Sequence, residues 1–217
     1  MAADANRTLH YAVRDNDLAA AKAALAQGAD PNKVSTGRPL LHWACAANYG
    51  GDRSALAETL LQAGADPNGR DSAGVTALHF SGGRIDCVEP LLAAGADPKA
   101  RTSQDACSFD GRPVLEQVLA VTDWRTGTQG IQALVKAGAD PSQRGCDGAS
   151  MHWVAANRFL TEASEHLQKE ESPPAGWWKR HVEVWHALDR ASLADADAQK
   201  LMAQAVAIAI ALEQEAK

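Results

Sequence analysis

"LLQAGADPNGRDSAGVTALHF", Leu60 to Phe80, holds the two strings whose alternation decides the fold. The first, Gly64-Ala65-Asp66-Pro67, follows an apolar run of helical spacing and stops that helix. Glycine enters a left-handed backbone conformation without a Cβ penalty, and Asp-Pro bars continuation. The second string, Gly74 to Phe80, opens the next helix after a turn. Both recur. Gly-Ala-Asp-Pro begins at Gly28, Gly64, Gly95 and Gly138. The opening string reads "GRPLLHWAC" from Gly37, "GVTALHFSG" from Gly74, "GRPVLEQVL" from Gly111 and "GASMHWVAA" from Gly148. "RTLHYAV" from Arg7 is the same element without its leading glycine. Pro39 and Pro113 suit a first helical turn, where a missing N–H goes unnoticed. Thr76 and Ser150 offer an oxygen to the free amides of that turn.

The order is hairpin, helix, short turn, helix, then the next hairpin. A unit of this kind buries its apolar face only against a neighbouring copy, so the pattern reads as a stacked array. The two strings resemble the ankyrin repeat family, whose signature includes T-P-L-H-x-A and G-A-D. The resemblance implies an all-α solenoid with short β-hairpins: five repeats over residues 5–166, then a helical C-terminal extension over residues 167–217. Glu116 departs from the signature histidine, which puts the hydrogen bonds that histidine makes between neighbouring turns in question there. "NYGGDRS" near Asn48 and "TDWRTGTQG" around Trp124 read as enlarged turns between paired helices, and "RTSQDACSFDG" around Cys107 as an enlarged hairpin. Long loops on a rigid scaffold often carry contacts, neutral insertion being the alternative.

The chain has 217 residues, is 46% hydrophobic and carries a formal charge of −6. That content is enough for a core. The charge predicts no general attraction to nucleic acid or to an anionic membrane. "MAADANRTLHYAV" shows no secretory signal, and no run is long enough to span a bilayer. Cys45, Cys87, Cys107 and Cys146 form no CxxC pair and no zinc spacing. They read as four free thiols in a reducing compartment, so the expected location is the cytoplasm, with no metal and no cofactor.

Past Ser172-Pro173-Pro174, residues Trp178, Val182, Trp185 and Leu188 share one helical face, and Lys179, Glu183, His186 and Arg190 another. A second helix starts near Ser192 and Asp195 and carries a stripe of Leu201, Ala205, Ile208 and Leu212. A stack leaves its last apolar face open, so these helices read as a terminal cap. A dimer seam or a partner site is the alternative, and the sequence leaves the oligomeric state undefined.

His10, His42, His79 and His152 occupy one recurring place, which in the family is structural. No phosphate loop, HExxH or GxSxG is present, and His181 and His186 do not share a helical face. Cys146, Asp147 and His152 are close in sequence, which without geometry makes no nucleophile or metal site. Two columns carry more. The residue after the signature place is Tyr11, Trp43, Phe80, Gln117 and Trp153 in turn, four of them aromatic and placed to look partly into the concave groove. Packing between inner helices would also explain them. Six residues after each helix-ending glycine stand Val34, Arg70, Arg101 and Arg144, with Arg38 and Arg112 just after hairpin glycines. Guanidinium forks suit carboxylates and phosphates. Ordinary solvated turns are the alternative. The expectation is a non-catalytic module holding a protein or peptide partner with acidic and apolar groups. The competing class is a small-molecule-binding protein or enzyme, its pocket lying between the repeat groove and the C-terminal helices.

Overall fold

The computed structural model describes residues 2–46, 52–103, 111–121, 128–146, 148–169, 177–188 and 196–215. Asn48, Cys107 and Trp124, from the three enlarged segments, lie outside the described residues, as do Asp147, Pro173, Arg190, Ser192 and Asp195.

The helices are α1 (Ala2–Asp15), α2 (Leu18–Ala26), α3 (Leu40–Cys45), α4 (Ser54–Gln62), α5 (Ala77–Phe80), α6 (Ile85–Ala93), α7 (Val114–Val121), α8 (Thr128–Lys136), α9 (Met151–Lys169), α10 (Trp177–Ala187) and α11 (Ala196–Glu215). They form two layers. Along the inner layer α1, α3, α5, α7 and α9 each pack on the next, and along the outer layer α2, α4, α6, α8 and α10 do the same. Short hairpins project between pairs. Strands β1 (Val34–Ser35) and β2 (Arg38–Pro39) run antiparallel, with Val34 opposite Pro39 and Ser35 opposite Arg38. Their turn residues Thr36 and Gly37 have φ of 50° and 81°, as a two-residue hairpin demands. Later hairpins reduce to single bridges, Arg101 to Pro113 and Arg144 to Ser150.

The Gly-Ala-Asp-Pro string is one helix ending used four times. Gly64 has φ of 92°, its N–H donates to the Leu61 carbonyl at 3.0 Å, and the Ala65 N–H donates to Leu60 at 2.9 Å. These two bonds satisfy carbonyls that the helix leaves free. Ala65 turns inward and is buried, and the Asp66 carboxylate accepts the Asn68 N–H at 2.9 Å, closing the turn. Ala29, Ala96 and Ala139 repeat the alanine's bond, to Ala24, Leu91 and Leu134, and are equally buried. Pro39 sits at the capping position of α3, one residue earlier than the expected first turn.

Asparagine side chains tie successive turns together. Asn32 accepts the Asp66 N–H at 2.7 Å and donates to the Gly64 carbonyl at 2.8 Å. Asn68 does the same to Asp97 at 2.8 Å and Gly95 at 3.0 Å. Asn6 accepts the Asp30 N–H at 2.7 Å. Lys99 occupies the next place.

One apolar core runs the length of the stack from Ala5 to Ala155 and takes in Val184 of α10 and Leu188 just after it. Helix α10 packs against both α8 and α9 and so continues the outer layer. Helix α9 passes through residue 166 without a break. A second core, built on Phe159, Trp177, Trp185, Met202, Ala205 and Ala209, joins α9, α10 and α11.

The buried face of α10 is Trp177, His181, Val184 and Trp185, continued by Leu188 just past its end, while Trp178 and Val182 are half-buried. The expected stripe is therefore displaced, because His181 goes inside: its ring stacks on Phe159 at 4.3 Å, and Nε2 lies 3.3 Å from Glu162. Helix α11 buries Ala198, Met202, Ala205 and Ala209, with Leu201 and Ile208 half-buried. The side chain of Leu212 lies outside the described set.

No helix among the described residues is long and apolar enough to cross a membrane. Cys45 and Cys87 are free and buried, but Cys146 is disulfide-bonded. The expectation of four free thiols is thereby corrected; cysteine spacing alone does not say which residues the fold brings together.

Candidate binding site

The histidine column positions the hairpins. Nδ1 of His79 accepts the Thr76 N–H at 3.1 Å and lies 2.9 Å from the Thr76 hydroxyl. Nε2 therefore carries the proton, and it donates to the Arg112 carbonyl in the next hairpin at 3.2 Å. Burial favours the neutral ring and pushes its pKa down to about 4, against the opposing pull of the Arg112 carbonyl. His42 makes the equivalent contact, 2.8 Å to the Val75 carbonyl, and burial lowers its pKa too. The residue preceding α3 is Pro39, which has no N–H to give, so the His42 Nδ1 lacks the partner that Thr76 supplies to His79. At Glu116 the link survives with reversed polarity: the buried carboxylate accepts the Cys146 N–H at 2.8 Å, and Arg112 lies 3.6 Å away.

These links align the arginine column. Arg70 Nη1 donates to the Gly74 carbonyl of its own hairpin at 3.1 Å and to the Arg101 carbonyl of the next at 2.6 Å. Arg101 Nη2 donates to Gly111 at 2.7 Å and to Arg144 at 3.1 Å, and its Nη1 lies 3.5 Å from Gln143 Oε1. Arg144 Nη1 donates to Gly148 at 3.1 Å. The column is thus a staple running from hairpin to hairpin as well as a row of positive charge. Arg70 and Arg144 are exposed and Arg101 is half-buried. Val34, in the same column, is 55% exposed.

Arg38 and Arg112 behave differently. The Arg38 guanidinium lies 4.7 Å from the Phe80 ring centroid and 5.9 Å from that of Trp43, and its Nε is 3.5 Å from Asp71. Cation, two aromatic rings and carboxylate therefore form one surface group across two inner helices. Arg112 Nη1 donates to Gln117 at 2.8 Å, in the gap of the aromatic column. Tyr11 is 47% exposed, with the Arg14 guanidinium 4.9 Å from its ring. Trp153 does not join this row. It packs on the second core with α10 and α11, because the long α9 turns that face toward the C-terminal helices.

One positioning residue was not singled out by its sequence pattern. Arg53 is 3% exposed, and its guanidinium donates to the carbonyls of Val13 at 3.0 Å, Arg14 at 2.9 Å and Trp43 at 3.1 Å. It caps the C-terminal ends of α1 and α3 together. The asparagine ladder, by contrast, had a signal: Asn32 and Asn68 share one place after Asp-Pro.

Among the described residues no three His, Cys, Asp or Glu side chains come together to hold a metal ion. His152 stands edge-on to Trp185 at 4.9 Å, as a packing histidine does.

No curated protein matches the chain. Residues 9–102 match the family model for ankyrin repeats in three copies. That match spans the paired helices from α1 to α6, the first two hairpins and the His42 link, and these residues carry ankyrin repeats.

Proposed function

We propose that this chain is a non-catalytic ankyrin-repeat module that holds a protein or peptide partner through its concave groove and hairpins. In this reading the five repeats begin within residues 5–166, α10 supplies the outer helix of the last, and α11 covers the end of the stack. Ankyrin repeats are generally protein-interaction modules, and the observation that carries the reading here is the Arg38 group. A cation stacked over Phe80 and Trp43 and held by Asp71 is a preorganised surface anchor beside a row of further arginines. It suits a partner offering acidic and apolar groups.

The test is site-specific photocrosslinking of the full chain in a lysate of the native host. A photoreactive phenylalanine analogue at Phe80 should capture a defined protein that the same group at Glu58, on the outer face of α4, does not. Capture from Glu58 alone would overturn the reading.

A further inference from the structure

We propose that Arg70 and Arg144 are the carboxylate-reading residues of the hairpin row, and that Arg101 between them is the staple that sets their separation. The proposal rests on the binding reading above and names the chemistry of the occupant: an extended peptide segment with two acidic side chains about five or six residues apart.

The three arginines differ in what the fold asks of them. Arg70 and Arg144 each engage one nitrogen, Nη1, with carbonyls of the backbone. Both side chains are exposed. The edge made by Nε and Nη2 remains for a carboxylate, and that edge is one face of the guanidinium fork that binds carboxylates bidentately. Arg101 is half-buried, and both of its Nη nitrogens meet Gly111, Arg144 and Gln143. It has been drawn into the scaffold. The acid nearest Arg70 in sequence, Asp71, is occupied elsewhere: one oxygen accepts the Ala73 and Val75 N–H groups and the other faces Arg38.

The separation follows from the stack. Neighbouring inner helices in contact lie about 8–10 Å apart, so the two repeat steps from Arg70 to Arg144 amount to roughly 16–20 Å. An extended chain advances about 3.3 Å per residue, which converts that distance to about five or six residues. Charge complementarity narrows the occupant further. The chain as a whole carries −6, so an acidic globular partner would be repelled over most of its contact, whereas a short acidic strand on this row would not.

The experiment uses the full-length protein and fluorescein-labelled synthetic peptides of about twelve residues. The peptides consist of serine and leucine with two glutamates at separations from two to nine positions, and binding is followed by anisotropy at low and high salt. Affinity should peak at a separation of about five or six and fall with salt. Arg70→Gln and Arg144→Gln should each weaken the best peptide roughly tenfold; Arg144→Gln should leave the melting temperature nearly unchanged, Arg70→Gln should lower it because its bond to the Arg101 carbonyl goes too, and Arg70→Lys should recover only part of the loss in binding. Arg101→Gln should lower the melting temperature and flatten the dependence on separation. Equal binding at every separation, equal binding of a one-glutamate peptide, or no binding of any peptide would overturn the proposal. Crosslinking from Phe80 that survives both glutamine variants would overturn this assignment and leave the wider reading intact; loss of crosslinking from Phe80 in the unmutated protein would remove the reading itself.

Discussion

The Glu116 carboxylate accepts the Cys146 N–H at 2.8 Å, where one repeat earlier the His79 ring donates to the Arg112 carbonyl. The direction of the bond is reversed, and the residue type explains why: an ionised carboxylate can only accept. The cross-turn link thus moves from a carbonyl to a neighbouring amide, and the Gly145 Cα comes close enough that a Cβ there would lie 2.9 Å from the carboxylate. Glu116→Ala should cost about 2 kcal/mol, because a half-buried amide loses its carboxylate acceptor. Glu116→Gln, which keeps an acceptor oxygen, should cost about half as much. Urea denaturation of both variants checks the order; equal losses would mean that packing, and not the bond, matters here.

The histidines make the repeat array acid-sensitive. His79 has its pKa pushed down to about 4 in the folded chain, against an ordinary value of 6.5. Above pH 6.5 the ring is neutral folded or unfolded, and it contributes no pH dependence. Between about 6.5 and 4 the unfolded chain binds a proton that the folded one refuses, so stability falls as pH falls, by on the order of 3 kcal/mol across that window. Burial shifts His42 in the same direction. The urea midpoint should drop between pH 7 and pH 4.5, and His79→Gln should be less stable at pH 7 but flatter in pH. An unchanged slope in that variant would exclude His79 as the titrating group.

Arg53 is the clearest case of a buried charge used as a clamp. Its guanidinium joins the ends of α1 and α3 through three carbonyls. Arg53→Met fills the space but leaves those carbonyls without their donor, and about 2–4 kcal/mol of stability should go with it. The loss should be local. Hydrogen exchange should quicken in α1 and α2 well before α6 and α8, because each pair in a stack is held mainly by its neighbours. Uniform acceleration along the chain would contradict this.

Helix ends were legible in the sequence because their chemistry is local. Gly64, Ala65 and Asp66 make their bonds within a few residues, so the four-residue string suffices to place them. What Arg70, Arg101 and Arg144 do depends on carbonyls a whole repeat away, and no local pattern separates a guanidinium spent on the next hairpin from one left for a ligand. His181 was missed for a related reason. A titratable residue between two tryptophans reads as surface, and its burial rests on Phe159 and Glu162 of α9, a helix distant in sequence. Trp153 likewise matches Trp43 in sequence position but not in surroundings, because the helix that carries it is far longer than α3.

The asparagine ladder supplies the last prediction. Asn32 and Asn68 each bind both an amide and a carbonyl of the following turn. At the next step Lys99 replaces asparagine, and among the described residues neither the Gly138 carbonyl nor the Asp140 N–H receives an equivalent bond. The Lys99 chain instead runs past Gly138, its Cε 3.8 Å from where a Cβ would stand. Lys99→Asn should restore the rung. Two partly exposed hydrogen bonds, less the entropy of fixing one side chain, are worth about 1 kcal/mol, and a change of that size should raise the melting temperature by roughly 2–4 °C in a chain of this length. The same substitution leaves the Asp97 turn untouched, since Lys99 contributes only its backbone N–H there, at 2.9 Å. The converse variant, Asn68→Lys, removes an existing rung and should lower the melting temperature by a comparable amount. If Lys99→Asn destabilises while Asn68→Lys does so too, the turn after Pro98 differs in geometry from its neighbours, and the break in the ladder is a consequence of that geometry and not of the lysine.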